Sequence, residues 1–237
     1  MPDFSQRSTQ AELMDDLTLA TDALRQNLDE LEVINTRLGG YRVVTDALRR
    51  ILRQQPVPPP LRVADLGSGG GDTLRYLAQW ARRRHLPMEF VGIDANAFMV
   101  NYAATRSHAF PEIRFAQQDI FSADFSQQPY DVLTCSLFCH HFTDEQLVAM
   151  LRQWRQQARV AVVINDLHRH PLAYHSIKWL TRLFKGSYLV QHDAPLSVLR
   201  AFRRTDWERL LTASGASHYE VRWLWAFRWQ VVIYGNG

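Results

Sequence analysis

From residue 61 onward, short runs of aliphatic residues alternate with longer segments of helical periodicity. The strand-like runs are LRVADLG, MEFVGID, IRFAQQD, YDVLTCSLF and RVAVVIND, and most are separated by segments such as DTLRYLAQWARRR. This alternation favours a parallel sheet with helices on both faces. The chain ends differently, because HYEVRWLWAFRWQVVIYG gives two aromatic-rich strands in direct succession. We therefore predict an α/β fold with a doubly wound, mostly parallel seven-stranded sheet and an antiparallel terminal strand pair.

The N-terminal quarter of the chain is predicted to be helical. Leucines recur at helical spacing through residues 10–54, and Gly39-Gly40 predicts a helix stop before YRVVTDALRRIL begins another amphipathic helix. The proline-rich stretch at 56–60 predicts a stiff, extended connector. The predicted organisation is an N-terminal helical cap at 1–55 and a main domain at 61–237, with an insertion at about 171–204.

The composition is that of an ordinary soluble chain, with 46% hydrophobic and 22% charged residues. The net charge of +3 forms no basic run, which argues against nucleic acid as a partner. Cys135 and Cys139, the only cysteines, form neither a CxxC pair nor a disulfide framework. No apolar run is long enough for a membrane span, and no signal peptide is recognised. We expect a cytoplasmic monomer or homodimer.

A glycine-rich loop, GSGGG at residues 67–71, follows the first predicted strand. Glycines allow a sharp turn and a close approach of the backbone to a ligand. The dinucleotide fingerprint GxGxxG would need glycine at position 72, which is Asp72. A second acid, Asp65, precedes the loop. A carboxylate there would meet a diphosphate badly and a cationic amino group well, which favours an amino-acid-bearing nucleoside over NAD.

Two further acids follow the next two predicted strands. Asp94 in GID is suited to accept both hydroxyls of a ribose, and Asp119 in QDIF is suited to accept from an adenine amino group. Ile120 and Phe121 offer an apolar slot beside it. Any one of these acids is as readily explained as a turn-former or helix cap. Acids at three successive strand ends favour a binding site.

With DLGSGGG, GID, QDI and YDVLTCSLFCHHF, the chain resembles the class I S-adenosylmethionine-dependent methyltransferases over roughly residues 40–237. Within that family it is similar to small-molecule enzymes of the ubiquinone and menaquinone methylase type. The resemblance implies a Rossmann-like fold, S-adenosyl-L-methionine as cofactor and S-adenosyl-L-homocysteine as product. It places Asp65 and the glycines at the methionine moiety, Asp94 at the ribose and Asp119 at the adenine. The full set of expected cofactor contacts is Tyr41, Asp65, Gly67, Ser68, Gly69, Gly71, Asp94, Ala95, Asp119, Ile120 and Ser136.

The acceptor should lie over the carboxyl ends of the fourth and fifth strands, across from the cofactor. Neither the NPPY-like motif of nucleic-acid amino-methylating relatives nor the Pro-Cys of cytosine-C5 enzymes is present. Catechol-type relatives hold magnesium through an acid after strand four and an Asp-Asn pair after strand five. Here Cys135 and Ser136 stand at the first place, and the pair is reversed as Asn165-Asp166. We therefore predict a small acceptor and no metal.

The adjacent residues His140 and His141 end the fourth predicted strand, with His168 and His170 in the neighbouring loop. Methyl transfer from a sulfonium needs a base only when the nucleophile carries a proton, as a phenol or quinol does. Neutral imidazole has a suitable pKa. Adjacent residues in an extended chain point apart, which disfavours a shared metal. His140 is the first candidate for the base, ahead of His141 and His168, and His141 could simply cap the next helix.

The insertion is expected to cover an aromatic acceptor. His170, Tyr174 and Trp179 are its predicted substrate contacts, with Ile177, Leu180 and Phe184 completing an apolar stripe. The same stripe could be ordinary core, and SIKWLTRLFK could touch a membrane surface. The sequence thus predicts O-methylation of a small phenolic or quinol acceptor. A C- or N-methyltransferase of a natural-product pathway and a non-catalytic cofactor-binding partner protein stay open as alternatives.

Overall fold

The computed structural model describes residues 2–54 and 57–235, and its centre is a seven-stranded sheet in the order β3-β2-β1-β4-β5-β7-β6. The strands are β1 Leu61–Leu66, β2 Met88–Asp94, β3 Ile113–Gln117, β4 Tyr130–Ser136, β5 Ala158–Leu167, β6 Tyr219–Leu224 and β7 Arg228–Tyr234. Strands β1 to β5 are parallel, whereas β7 is antiparallel to both β5 and β6. The predicted Rossmann-like sheet and its antiparallel end are confirmed.

The chain order of the strands reverses between β1 and β4, which are neighbours in the sheet. The strand-to-helix loops on the two sides of this switch point diverge, and they leave a crevice at the carboxyl ends of the strands. Both strands are almost wholly buried, as their near-continuous apolar sequences require. The sheet therefore directs the ends of β1, β2, β3 and β4 toward one crevice.

Helices cover both faces of the sheet. They are α1 Asp22–Arg37, α2 Gly40–Gln54, α3 Asp72–Arg82, α4 Ala97–Arg106, α5 Ala123–Ser126, α6 Asp144–Gln157, α7 Pro171–Leu183, α8 Tyr188–Arg200 and α9 Arg204–Ala213. One core cluster contains Trp154 of α6 and Trp207 of α9, and a second contains Leu48 of α2 and Leu74 of α3. No helix within the described ranges has the length and apolar character needed to cross a bilayer.

Helix α2 belongs to the packed core. Its apolar face, which includes Val44, Leu48 and Ile51, is buried in the same cluster as Leu61 and Val63 of β1. Within the predicted cap at 1–55, only the residues before α2 are therefore placed to cover the crevice. Gly39, at φ +71°, ends the preceding helix as predicted, but Gly40 already opens α2. Of the predicted connector at 56–60, Pro56 lies outside the described residues.

The first 38 residues are less regular than their helical spacing predicts. A 3-10 turn spans Leu13–Asp15, and α1 begins only at Asp22, capped by the Thr21 side chain. The turn is held from outside, because the Asp193 carboxylate of α8 accepts hydrogen bonds from the backbone N–H groups of Leu13 and Met14. The predicted insertion forms α7 and α8. Together with α1 and the turn, these helices cover the carboxyl end of the sheet.

Candidate active site

Two cavities adjoin at the carboxyl ends of the strands. The larger, of about 800 Å³, follows the loops after β1, β2, β3 and β4. The second, of about 350 Å³, lies between the N-terminal segment, α7 and α8, and we call it the apolar cavity because aliphatic side chains dominate its wall. The residues that line both cavities are Met14, Leu31, Leu137 and His141.

The glycine loop forms one wall of the larger cavity. Gly67 and Gly69 have φ values of +65° and +49°, which glycine adopts without strain. A Cβ atom at Gly67 would also collide with the Phe138 ring. Within the loop, the Ser68 hydroxyl is buried and has no hydrogen-bond partner among the described residues. The loop thus presents bare backbone and one unsatisfied hydroxyl to the cavity.

The acids at the ends of β1 and β2 are both buried. Asp65 is 2% exposed and accepts a hydrogen bond of 2.7 Å from the Thr134 hydroxyl, and burial raises its pKa to about 7. Asp94 accepts hydrogen bonds of 2.9 Å from the backbone N–H groups of Gly69 and Asn96. Burial also raises the pKa of Asp94. Asp94 therefore fixes the glycine loop while it faces the cavity.

Most of the predicted cofactor contacts line the larger cavity: Asp65, Gly67, Ser68, Gly69, Asp94, Ala95, Asp119, Ile120 and Ser136. Tyr41 and Gly71 do not. The Tyr41 hydroxyl donates to Asp72 at 2.7 Å and its ring stacks on Tyr76, so it supports the start of α3 from behind. Gly71 precedes α3 at φ +72°, where a Cβ atom would lie 2.7 Å from the Phe115 ring.

Part of the wall of the larger cavity was not predicted from the sequence. Phe138 and Phe142 belong to that part and pack edge to face with ring centroids 4.9 Å apart. They adjoin the predicted Phe121, whose ring centroid lies 5.7 Å from that of Phe142. Their aromatic character was the available signal. Side chains from the N-terminal segment and α1 close the opposite side: Met14, Asp15, Leu17, Leu28, Leu31 and Asn35. No local pattern in the sequence links these residues to the strand ends.

His140 and His141 lie on a 3-10 turn, Cys139–His141, and their ring centroids are 4.3 Å apart. The expectation that the two side chains point apart assumed an extended chain and is wrong. His140 is 3% exposed, and its Nδ1 lies 2.8 Å from Oδ1 of Asp166. Burial alone would raise the pKa of Asp166, but the adjacent His140 brings it below its usual value. This carboxylate therefore fixes the His140 ring.

His141 has an equivalent partner. Its Nδ1 lies 2.5 Å from Oδ1 of Asp15 in the N-terminal turn, and Asp15 also accepts a hydrogen bond of 2.6 Å from Arg200. Burial opposes ionisation of Asp15, but these two hydrogen bonds hold its pKa well below the usual value. With Nδ1 directed at a carboxylate in each ring, Nε2 is the nitrogen left for chemistry.

A buried acid stands beside the pair. Glu12 is 5% exposed, and its Oε1 lies 3.6 Å from Nε2 of His140 without a hydrogen-bond partner among the described residues. Burial raises the pKa of Glu12 to about 7. Ligand atoms of Glu12, His140 and His141 lie within 4.8 Å of one another, so these residues could hold a divalent cation. The Arg200 guanidinium, 3.7 Å from the same Oε1, already supplies positive charge there.

The remaining predicted histidines lie outside both cavity linings. His168 Nδ1 accepts a hydrogen bond of 3.2 Å from the Trp223 indole, and burial lowers the pKa of His168 to about 4. His170 caps α7 through the Leu172 N–H and stacks on Phe227. The structure therefore does not bring His168 and His170 together with the His140 and His141 pair.

Helix α7 turns a different face to the apolar cavity from the one predicted. Tyr174 is buried against Phe4, and Trp179 is 62% exposed to solvent. The side chains of α7 that line the cavity are instead Ala173, Ser176, Ile177 and Leu180. Their helical spacing sets them on one side, so Ile177 and Leu180 have the predicted covering role while Trp179 points away.

Comparison with known proteins agrees with this geometry. Residues 63–161 match the family model described as a methyltransferase domain. An uncharacterized methyltransferase of Bacillus subtilis, YcgJ, is 24% identical over 165 residues, which are 68% of this chain and 59% of the relative. The alignment thus spans less than two thirds of that relative. The family model and this relative support the class I S-adenosylmethionine-dependent methyltransferase family for this chain, with residues 63–161 carrying the match to the model.

Solved methyltransferase structures share the fold. The plantazolicin methyltransferase BpumL in complex with S-adenosylhomocysteine has a TM-score of 0.66 at 17% identity, covering 90% of this chain and 89% of its own. The DszA carbon methyltransferase has a TM-score of 0.62 at 14% identity, covering 83% of this chain and 54% of its own. At these identities the likeness shows the fold and leaves the acceptor open.

The larger cavity fits S-adenosyl-L-methionine, the cofactor of the class I methyltransferases. The unsatisfied Ser68 hydroxyl and the glycine backbone offer polar groups beside Asp65, and the aromatic side chains close an apolar wall. Asp65 would hold the amino group, Asp94 the ribose and Asp119 the adenine. When bound, the cofactor supplies an electrophilic methyl group on its sulfonium.

The raised pKa of Asp65 predicts that cofactor affinity depends on pH. Below pH 7 this carboxyl group is largely neutral, and it must lose a proton before it can pair with the cofactor's ammonium group. Affinity for S-adenosylhomocysteine should therefore rise about tenfold between pH 6 and pH 7.5 and level off above that range. Isothermal titration across this range measures the slope. Asp65→Asn should bind S-adenosylhomocysteine more weakly and show no such rise with pH. If the rise stayed the same in this variant, the pairing of Asp65 with the ammonium group would be contradicted.

Proposed function

We propose that this methyltransferase methylates a hydroxyl oxygen of a small phenolic or quinol acceptor held in the apolar cavity, with a histidine as the base. His141 lines both cavities, so its imidazole is situated between the cofactor's cavity and the cavity left for the acceptor. A base that serves methyl transfer has to contact the acceptor hydroxyl at that junction.

The surroundings of His141 support its role as a proton acceptor. Asp15 at Nδ1 favours the tautomer whose Nε2 carries a lone pair, and it stabilises the imidazolium that forms when the acceptor's proton arrives. His140, the first candidate from the sequence, has the same support from Asp166 but lines only the apolar cavity. We therefore place His141 ahead of His140. His168, outside both linings, becomes the weakest of the three candidates.

The wall of the apolar cavity supports an aromatic acceptor. Aliphatic residues from three helices surround it, namely Leu31, Ile34, Leu38, Ile177, Leu180, Val190 and Val198. A volume of about 350 Å³ lies in the usual range for small-molecule sites and suits a ring with short substituents. The polar residues of its wall include His140, His141 and Glu12, whose ligand atoms lie within 4.8 Å of one another. Such a cavity orients a hydroxylated ring with its oxygen toward the histidines.

Two alternatives compete with this proposal. The likeness to a carbon methyltransferase supports a C-methyltransferase, or by extension an N-methyltransferase, on a natural-product acceptor. A non-catalytic cofactor-binding partner protein would retain the larger cavity but need no paired histidines. The dyads of His140 with Asp166 and His141 with Asp15 favour catalysis. The cytoplasmic location and the monomeric or homodimeric state stay predictions.

Incubation with methyl-labelled S-adenosylmethionine and a panel of phenols, quinols, amines and carbon acids tests the proposal. We expect label on a hydroxyl oxygen of an aromatic acceptor, located by mass spectrometry and NMR. The same reaction after EDTA treatment should proceed unchanged if imidazole is the base. Label on carbon or nitrogen would contradict O-methylation, and loss of activity with EDTA that Mg²⁺ or Zn²⁺ restores would assign the histidines to a cation.

A further inference from the structure

An exposed apolar surface lies on the outer side of α7 and continues into α8. Five large hydrophobic side chains are between 53% and 75% exposed there: Leu172, Trp179, Leu183, Phe184 and Tyr188, which we call the α7 face. The described residues contain eleven exposed large hydrophobic side chains, so nearly half of them fall within these 17 positions. Single exposed apolar residues are ordinary, but a cluster of this kind marks an interaction surface.

The α7 face lies on a different side of the helix from the residues that line the apolar cavity. Leu172, Trp179 and Leu183 are spaced i, i+7 and i+11, which places them on one side of α7. Phe184 caps the helix and Tyr188 begins α8, so both extend the α7 face beyond the end of that helix. The side chains at Ala173, Ile177 and Leu180 face the cavity instead. The covering helix is therefore apolar on two sides.

The α7 segment itself carries charge of one sign, although the carboxylate of Glu30 in α1 lies beside it and accepts hydrogen bonds from the backbone N–H and the hydroxyl of Ser187. No aspartate or glutamate occurs from residue 167 to residue 192, whereas the chain's only two lysines, Lys178 and Lys185, fall in this stretch together with Arg182. Arg182 and Lys185 are exposed, and none of these three cations makes a salt bridge within the described ranges. Lys178 instead lies over the Tyr174 ring, 5.4 Å from its centroid. These cations and the exposed aromatic residues beside them suit a partner that is both anionic and apolar.

We propose that the α7 face docks on the surface of an anionic lipid bilayer. Trp179, Phe184 and Tyr188 are side chains that partition to the boundary between headgroups and acyl chains, and the flanking cations pair with anionic headgroups. A second copy of this chain fits less well, because a twofold contact through the same face would set Arg182 and Lys185 against like charges. The proposal concerns where the protein binds and does not depend on which acceptor it methylates.

Docking would have a consequence for the apolar cavity. Helix α7 forms its wall with Ile177 and Leu180, and Trp225, which also lines it, is 71% exposed and therefore lies at its rim. A protein bound through α7 would hold this cavity close to the lipid surface. Acceptors that partition into the bilayer would then reach the cavity without crossing bulk water.

Vesicle flotation of the full chain tests the proposal. We expect at least tenfold more protein to float with phosphatidylglycerol-containing vesicles than with pure phosphatidylcholine vesicles at low salt, and less at high salt. The double variant Trp179→Ser/Phe184→Ser should lose at least tenfold of this binding while its melting temperature and S-adenosylhomocysteine affinity stay unchanged. Val33→Ser, which removes an equally exposed side chain from α1, is the matched control and should float like the wild type.

Charge reversal gives an independent variant. Arg182→Glu/Lys185→Glu leaves the apolar side chains in place and should also lose at least tenfold of the binding to anionic vesicles, so it decides the matter if the serine variant folds poorly. Equal flotation with both vesicle types, or undiminished flotation of both variants, would overturn the proposal. A wild-type dimer in analytical ultracentrifugation that Trp179→Ser/Phe184→Ser converts to a monomer would assign the face to a second copy instead.

Discussion

His141→Gln should lower kcat by about 10²- to 10⁴-fold, the range that general base catalysis contributes. Glutamine retains a polar side chain of similar reach but cannot accept the acceptor's proton and carry a charge. His141 is not among the residues assigned to hold the cofactor, so affinity for S-adenosylhomocysteine should change by less than about threefold. Steady-state kinetics with an acceptor from the labelled panel and isothermal titration together separate the two effects.

Three further variants locate the base. Asp15→Asn should lower kcat less than His141→Gln does, because it removes only the partner of Nδ1. His140→Gln should have a smaller effect again, and His168→Gln, outside both cavity linings, should retain wild-type kcat. If His140→Gln carried the large loss and His141→Gln did not, His140 would be the base. Wild-type kcat in both variants would remove the histidine base altogether and favour the carbon or nitrogen alternatives.

The second large effect is expected at Asp94. Asp94→Ala should weaken binding of S-adenosylhomocysteine by about 10²-fold or more, because each hydrogen bond to a charged group contributes about 1.5 to 3 kcal/mol. The substitution removes the predicted ribose acceptor and also frees the Gly69 and Asn96 N–H groups that Asp94 now holds. Isothermal titration measures the loss. Asp124→Ala, at an exposed position of α5, is the control and should bind as the wild type does.

Asp119→Ala should weaken binding of S-adenosylhomocysteine less than Asp94→Ala does and more than Asp124→Ala does. Its Oδ1 accepts the Phe121 N–H at 2.9 Å, and the side chain is exposed at the edge of the larger cavity. A group that water also reaches contributes less to binding than a buried one. If Asp94→Ala bound S-adenosylhomocysteine as tightly as the wild type does, the assignment of the ribose to the end of β2 would be contradicted.

The sheet could be predicted because its information is local. A short apolar run in the sequence predicts each strand, and each acid at a strand end is adjacent in sequence to the strand that positions it. The carboxyl ends of neighbouring parallel strands necessarily meet, so Asp65, Asp94 and Asp119 could be brought to one cavity without a structure. The antiparallel end followed equally from two strands with no helix between them.

The acceptor side could be predicted only in part, because its contacts are distant in sequence. Asp15 meets His141 across 126 positions, and Glu12 approaches His140 from the same N-terminal turn. Nothing in the spacing of leucines across residues 10–38 indicates that turn, whose backbone N–H groups at Leu13 and Met14 donate to Asp193 of α8. The rotation of α7 about its own axis is likewise determined by tertiary packing. An amphipathic pattern with apolar residues on two sides does not say which side faces the cavity.

The larger cavity should bind S-adenosylmethionine and not a dinucleotide. Isothermal titration of the purified full chain with S-adenosylhomocysteine and, separately, with NAD⁺ measures this preference. Asp65 at the end of β1 and Asp72 in place of a third loop glycine predict binding of one S-adenosylhomocysteine per chain and no measurable heat with NAD⁺. Binding of NAD⁺ in preference, or no binding of S-adenosylhomocysteine at millimolar concentration, would contradict it.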